Sequence, residues 1–351
     1  MVETELKRDR IVVRLGTKKW EWTLEPRYWR NTLIWAVVLF IFPTVSYFIS
    51  PGLINTMISA NIYAAIAMPL ALMTIGTGRM NFGPQFYIGV GGYTAALLSI
   101  AYGWGPLATF PFAVLMSMIS ALIFSPLVIM ARGLYYVLLT LLLPLVFLEV
   151  TFIYPDIFKG DTGLFGIVPL LDTGNAKNNF LLIGYISTAI MFAYLWIINK
   201  VLKYRYGLLM AAINDDEDVA HSIGINISKI KIIAFVSACT MIGIIGWFYA
   251  HYFSSFAGIT YLPPTFMLKI LLVLMIGGRA QVFGCVLGGY FIAFLEMLMI
   301  RFMGPIQPVL FPIILLLLLF VLPEGLFGLY RNCLLYTSPS PRDRTRSRMP
   351  S

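Results

Sequence analysis

Residues 203–231 read KYRYGLLMAAINDDEDVAHSIGINISKIK and form the longest polar interruption between apolar segments of the chain. The stretch opens basic at Lys203 and Arg205, turns acidic at Asp215, Asp216, Glu217 and Asp218, and closes basic at Lys229 and Lys231. Asn214 and Glu217 have the N-cap and N3 spacing of a capping box, so a short helix is predicted to begin near Asp215. Gly224 stands where such a helix should stop. A short capped helix between two membrane spans, on the basic side of the bilayer, cannot anchor in lipid. It suits docking on another protein, and we read residues 203–231 as the transmission element of a transporter.

Composition sets the frame for that reading. Of 351 residues, 59% are hydrophobic and only 12% charged, against about 25% charged in a soluble domain. With a mean hydropathy of +0.84, the chain reads as an all-α integral membrane protein, a polytopic helical bundle. The three cysteines (Cys239, Cys285, Cys333) are scattered, without CxxC spacing, and the two histidines are His221 and His251. Neither a disulfide framework nor a metal site is indicated. The net charge of +9 is read as basic flanks facing an anionic inner leaflet rather than as a nucleic-acid surface.

Spans of about 20 apolar residues fall near 31–50, 54–75, 82–102, 106–130, 134–154, 180–200, 230–250, 266–278, 282–300 and 306–322. About ten spans are therefore expected, with eight to ten compatible with the pattern. Arg79, Arg132, the 200–231 loop, Arg279 and Arg331 fall on one side, whereas the loops of the other side are nearly balanced in charge. Positive-inside counting places both termini and the organising loop in the cytoplasm. The segment 266–278 is too short to cross alone and is expected to be tilted, broken or extended by the loop before it. Residues 1–30, charged and interleaved with Trp20, Trp22 and Trp29, read as a cytoplasmic or interfacial lead-in with no cleavable signal peptide. Residues 31–332 form the transmembrane domain. The Ser/Pro/Arg-rich tail 333–351 reads as disordered, and resembles translated adaptor read-through that is not native to the protein; without its four Arg and one Asp the net charge falls from +9 to +6.

Several residues inside the apolar segments are candidates for a path. GTGRMNFGPQFYIGVGGYTAALL (76–98) carries Gly78, Gly83 and Gly91, but follows no strand and lacks GKS/T. Its glycines either let helices approach closely or lie on a translocation path. Glu149, near the end of its span, is a substrate or gating candidate or an acid reaching to the surface. Lys269 and Glu296, on neighbouring antiparallel segments, form either a structural ion pair or a polar contact in the path. FKGDTGLFGI (158–167) reads as a folded loop on the outer side without a calcium-type ligand ladder. No GxSxG, HExxH or Walker A pattern occurs, so if ATP drives this protein another chain must bind it.

At this point the blocks 76–98, ARGLYYVLLTLLLPLVFLEV (131–150), 158–167, 204–252, MIGGRAQVFGCVLGGYFIAFLEML (275–298) and LPEGLFGL (322–329) together resemble the inner-membrane permease subunits of branched-chain amino acid ABC importers, of the larger of two paralogous types. The resemblance implies a loop carrying a form of the EAA motif. Asp218-Val219-Ala220-His221-Ser222-Ile223-Gly224 stands in its place, with Asp for Glu and Val for the first Ala. It implies that Asn214, Asp215, Glu217, Asp218, Ala220 and Gly224 belong to a helix that inserts in a groove on an ATPase. The chain departs from the family's common runs at Gly277-Gly278-Arg279-Ala280 and at Arg79-Met80-Asn81-Phe82-Gly83. The implied partners are two ATP-binding subunits, a second permease and a soluble extracytoplasmic binding protein, with no nucleic acid. ATP and Mg would bind on the partners, and this chain would bind no cofactor and catalyse no reaction. The implied substrate is a branched-chain or other hydrophobic amino acid. Urea, short amides and other small solutes stand as alternatives, as does an ion-driven secondary transporter.

Overall fold

The computed structural model describes residues 2–7, 10–15, 18–23, 50–131, 133–278 and 282–307, together with 40, 41, 43–46, 48, 310–314 and 317. Much of the expected first span (31–50), most of the tenth (306–322), Arg132, residues 279–281, block 322–329 and the tail 333–351 lie outside the described residues.

The helical expectation needs one amendment at the N-terminus. Residues expected to be a plain lead-in form three antiparallel strands, β1 (Val2–Lys7), β2 (Arg10–Leu15) and β3 (Lys18–Thr23), with Val2 opposite Leu15 and Ile11 opposite Trp22. Alternation at period two, broken by two-residue connections, favours hairpins over a helix there.

From residue 51 onward the described chain is almost wholly helical. Its helices are α1 (Pro51–Thr77), α2 (Pro84–Tyr102), α3 (Pro106–Phe124), α4 (Pro126–Met130), α5 (Gly133–Ile153), α6 (Pro155–Phe158), α7 (Ala176–Lys203), α8 (Arg205–Asp215), α9 (Glu217–Ser222), α10 (Ile227–Phe253), α11 (Gly258–Tyr261), α12 (Pro264–Gly277) and α13 (Val282–Met303). Among the described residues seven helical segments are long and apolar enough to cross a membrane: 52–77, 106–130, 133–153, 177–203, 227–253, 258–277 and 282–303. They coincide with seven of the ten expected. The expected span at 82–102 forms α2, a 19-residue helix outside that seven, largely buried within the bundle. The short segment 266–278 is lengthened by the loop before it, since α11 and α12, interrupted at Leu262-Pro263, together give a 20-residue stretch.

In lipid the drive for helices to associate is close packing rather than burial from water. The bundle centres on α1 and α10. The α10 helix packs on α1, α2 and α3, while α1 also packs on α7, α12 and α13. At the crossing of α2 and α10 the backbones nearly touch. A Cβ on Gly91 would lie 2.0 Å from the Gly243 carbonyl oxygen, and one on Gly246 would lie 2.0 Å from that of Ile88. By contrast, α3 and α5 turn apolar faces outward, with Leu107, Ile123, Leu134 and Val146 all exposed.

Beyond the last turn of α10 a two-stranded ribbon joins β4 (Leu164–Phe165) to β5 (Ser255–Phe256). The glycine-rich stretch 158–167 is thus folded, as its composition predicts. His251, expected at a span end, is fully buried there. Its Nδ1 lies 2.7 Å from the Val168 carbonyl oxygen, which can only accept, so Nδ1 carries a proton. Its Nε2 lies 2.7 Å from Thr109 Oγ1, which also accepts from Trp247 Nε1 at 3.1 Å.

Candidate functional site

The polar interruption folds as two helices rather than one. α8 buries Gly207, Met210 and Ile213 along one face and continues through Asn214 to Asp215. The backbone then turns extended at Asp216 (φ −156°, ψ 113°), and α9 begins at Glu217. The expected capping box of Asn214 with Glu217 is therefore not formed. Asn214 and Asp215 close α8, and the cap of α9 is Asp216, whose Oδ1 accepts from the Asp218 and Val219 amides at 2.9 and 3.0 Å. Four acidic residues and an asparagine lie within five positions, and only the packing of α8 decides which of them meets the turn. A cap of this kind contributes about 1 kcal/mol.

The C-terminal end of α9 is where Gly224 predicts it. Gly224 has φ +84°, its amide donates to the His221 carbonyl at 3.0 Å, and the Ile225 amide donates to the Ala220 carbonyl at 3.2 Å. These two bonds make a Schellman stop, whose left-handed residue is glycine because a Cβ would be strained there. Between the caps α9 buries Ala220 and exposes Asp218, Val219, His221 and Ser222, with Ile223 exposed just beyond. A six-residue helix clamped at both ends presents two apolar side chains, Val219 and Ile223, to its surroundings.

Glu217 points the other way. Its carboxylate lies 2.7 Å from Lys231 Nζ in the first turns of α10 and 3.7 Å from Arg79 Nη2 in the turn between α1 and α2. Arg79 Nη1 in turn donates to the carbonyl oxygens of Val128 and Ala131. Gly78 caps α1 in the left-handed region at φ +68°, and a Cβ there would sit 3.0 Å from Asn214 Oδ1. A Cβ on Gly83 would lie 2.2 Å from the Thr140 carbonyl oxygen of α5. The 78–83 turn is thereby wedged between α8 and α5.

Lys269 and Glu296 meet as the sequence predicts, at 2.7 Å, with side chains 18% and 20% exposed. Tyr63 of α1 completes the group. Its hydroxyl donates to Glu296 Oε2 at 2.9 Å and lies 3.2 Å from Lys269 Nζ. Beside them opens a cavity of about 300 Å³, walled chiefly by apolar residues including Met80, Phe82, Leu272, Met275 and Phe311, with Lys269 the charged member of its lining. Glu149 is not part of this group. It lies exposed on α5, along the same outward face as Leu142 and Val146.

A buried polar seam was not anticipated. Asn61 of α1 donates to Ser187 Oγ at 3.0 Å and Thr188 Oγ1 at 2.9 Å on α7, and accepts from Tyr290 of α13 at 2.7 Å. The signal available in the sequence was a lone Asn in an apolar span, a residue type that joins helices in lipid.

Residues 52–323 match the family described as branched-chain amino acid transport system / permease component. Two proteins, each described as a high-affinity branched-chain amino acid transport system permease protein LivM, are similar to the chain. The one from Salmonella typhimurium is 25% identical over 287 residues, covering 74% of this chain and 66% of its own length. The one from Escherichia coli strain K12 is 25% identical over 270 residues, covering 69% of this chain and 62% of its own. The chain thus spans slightly under two thirds of the length of the relatives it matches. A helical bundle with seven helices long and apolar enough to cross a membrane among the described residues, matched over most of its described length, makes this chain a multi-pass membrane protein that belongs to the branched-chain amino acid transport system permease family.

Proposed function

We propose that the chain is the membrane-spanning subunit of an ABC importer that moves branched-chain or other hydrophobic amino acids across the inner membrane. The observation that carries this reading is α9: a rigid, doubly capped helix between two membrane-crossing helices, with Val219 and Ile223 exposed and Glu217 tied back to the bundle. Such an element docks on a partner and moves with it. In this reading two ATP-binding subunits take α9 in a groove, bind ATP and Mg, and alternate the bundle between inward and outward access. A second permease subunit completes the pore, and a soluble binding protein delivers the solute. The family and the substrate named for its LivM relatives support the choice of solute. In this reading the bundle has about ten spans, eight to ten fitting the apolar runs, and the basic residues at Arg79 and 200–231 favour both termini and α9 in the cytoplasm. The chain itself does no covalent chemistry, and the tail 333–351 lies outside the transport domain.

Reconstitution tests this directly. Vesicles holding the chain with its permease partner and ATP-binding subunits are expected to take up labelled leucine on addition of ATP and binding protein. Uptake without ATPase subunits, or uptake abolished by an ionophore alone, refutes the proposal. Gly224→Val should uncouple hydrolysis from uptake while the protein remains in the membrane, because the φ of +84° is strained for a β-branched residue. Normal coupled uptake by that variant counts against α9 as the lever.

A further inference from the structure

We infer that Glu217, Lys231 and Arg79 form a charge relay that carries the movement of α9 to the turn lining the cavity. The inference rests on the proposed importer reading and assigns the residues that transmit its stroke.

One carboxylate, on the first turn of α9, faces two cations from two other elements. Lys231, whose side chain is 2% exposed, lies 2.7 Å away, and Arg79, 10% exposed, lies 3.7 Å away. The two cations are withdrawn from solvent while Glu217 is 37% exposed, so the carboxylate joins them at the edge of the bundle, where α9 can move it. Arg79 is also anchored on its far side, through the Val128 and Ala131 carbonyls at the end of α4. The next residues of the same turn are Met80 and Phe82, which wall the cavity beside Lys269. The Phe82 amide donates to Thr140 Oγ1 at 3.1 Å and the Gly83 amide to Asn81 Oδ1 at 2.7 Å, so the turn holds its shape as it moves. A displacement of α9 therefore pulls Glu217, Glu217 pulls Arg79 and Lys231, and Arg79 shifts the cavity wall and the α4 end together. With the carboxylate neutralised, two shielded cations remain without their shared counter-charge, and the turn is released from α9 while α9 keeps its cap at Asp216.

The test uses the reconstituted complex and reads leucine uptake per ATP hydrolysed. Glu217→Gln is expected to retain the ATP-binding subunits and to hydrolyse ATP, with uptake per ATP reduced at least tenfold. Lys231→Glu alone should behave alike. A second readout follows the relay itself. In Met80→Cys the maleimide labelling rate should change on addition of a non-hydrolysable ATP analogue, and in Met80→Cys/Glu217→Gln it should not. Wild-type coupling in Glu217→Gln, wild-type coupling in Lys231→Glu, or an unchanged nucleotide response of Cys labelling in Met80→Cys/Glu217→Gln relative to Met80→Cys would each overturn the relay. Where Glu217→Gln does not accumulate, Arg79→Lys serves, since it keeps the charge but loses the fork to two carbonyls, and it should uncouple alike. A wild-type complex that takes up no leucine with ATP overturns the importer reading, a result distinct from any of these.

Discussion

Replacing Lys269 with Met tests whether the pair with Glu296 ties the bundle together. The substitution keeps most of the side-chain volume but removes the ammonium 2.7 Å from Glu296 Oε1, where both side chains are at most one-fifth exposed. Breaking a shielded ion pair by deleting one partner costs about 3–5 kcal/mol. Glu296 keeps the hydroxyl of Tyr63 at 2.9 Å, and a hydrogen bond to a charged group offsets about 1.5–3 kcal/mol of that. The net loss is then about 2 kcal/mol. The paired variant K269M/E296M leaves no stranded charge, so its loss should stay below about 1 kcal/mol. The protein carries its own reporters, since Cys239 and Cys285 are buried thiols outside any disulfide and react with a fluorogenic maleimide only on unfolding. In a Cys333→Ser background, Lys269→Met should lower the midpoint of thermal labelling by about 3 °C, and the paired variant by no more than half of that. Coincident melting of Lys269→Met and wild type, or a paired loss equal to the sum of the singles, would refute the argument.

Gly91→Leu would set a side chain where even a Cβ lies 2.0 Å from the Gly243 carbonyl. The helices must part, and membrane-inserted yield measured by fluorescence size-exclusion should collapse, whereas Gly105→Ala, in open space and with an ordinary backbone φ of −75°, should keep most of it. Asp216→Ala removes the α9 cap and should lower stability by only about 1 kcal/mol while loosening α9, detected as faster amide hydrogen exchange at Asp218 and Val219. Asn61→Leu breaks three hydrogen bonds between α1, α7 and α13, two of them fully buried, and should lower the thermal midpoint by several degrees. Thr109→Val removes the hydroxyl shared by His251 and Trp247, and proteolysis within 158–170 should quicken relative to wild type.

The chain's composition and apolar runs were enough to specify a polytopic helical protein, because a bilayer tolerates few other solutions for runs of about 20 apolar residues. The sequence likewise placed the end of α9, since a glycine at a helix stop follows from local backbone geometry alone. It paired Lys269 with Glu296 because charges in a membrane seek each other. It placed seven of the expected segments on helices of membrane-crossing length. It misplaced the start of α9, because Asn214, Asp215 and Asp216 are all competent caps and the choice rests on how far α8 packs against α1. The extension of 266–278 by α11 was left among several outcomes for a similar reason. Glu149 could not be assigned to an inner or outer face, since rotation of α5 depends on its neighbours. The strands of 2–23 were overlooked because their alternation was read only as mixed charge. What tertiary structure alone decided was convergence. That Glu217 reaches both Lys231 and Arg79, and that Asn61 joins three helices, depends on how the helices cross, as where Gly289 lets α13 approach α1 at Ala60, and no local pattern encodes such crossings.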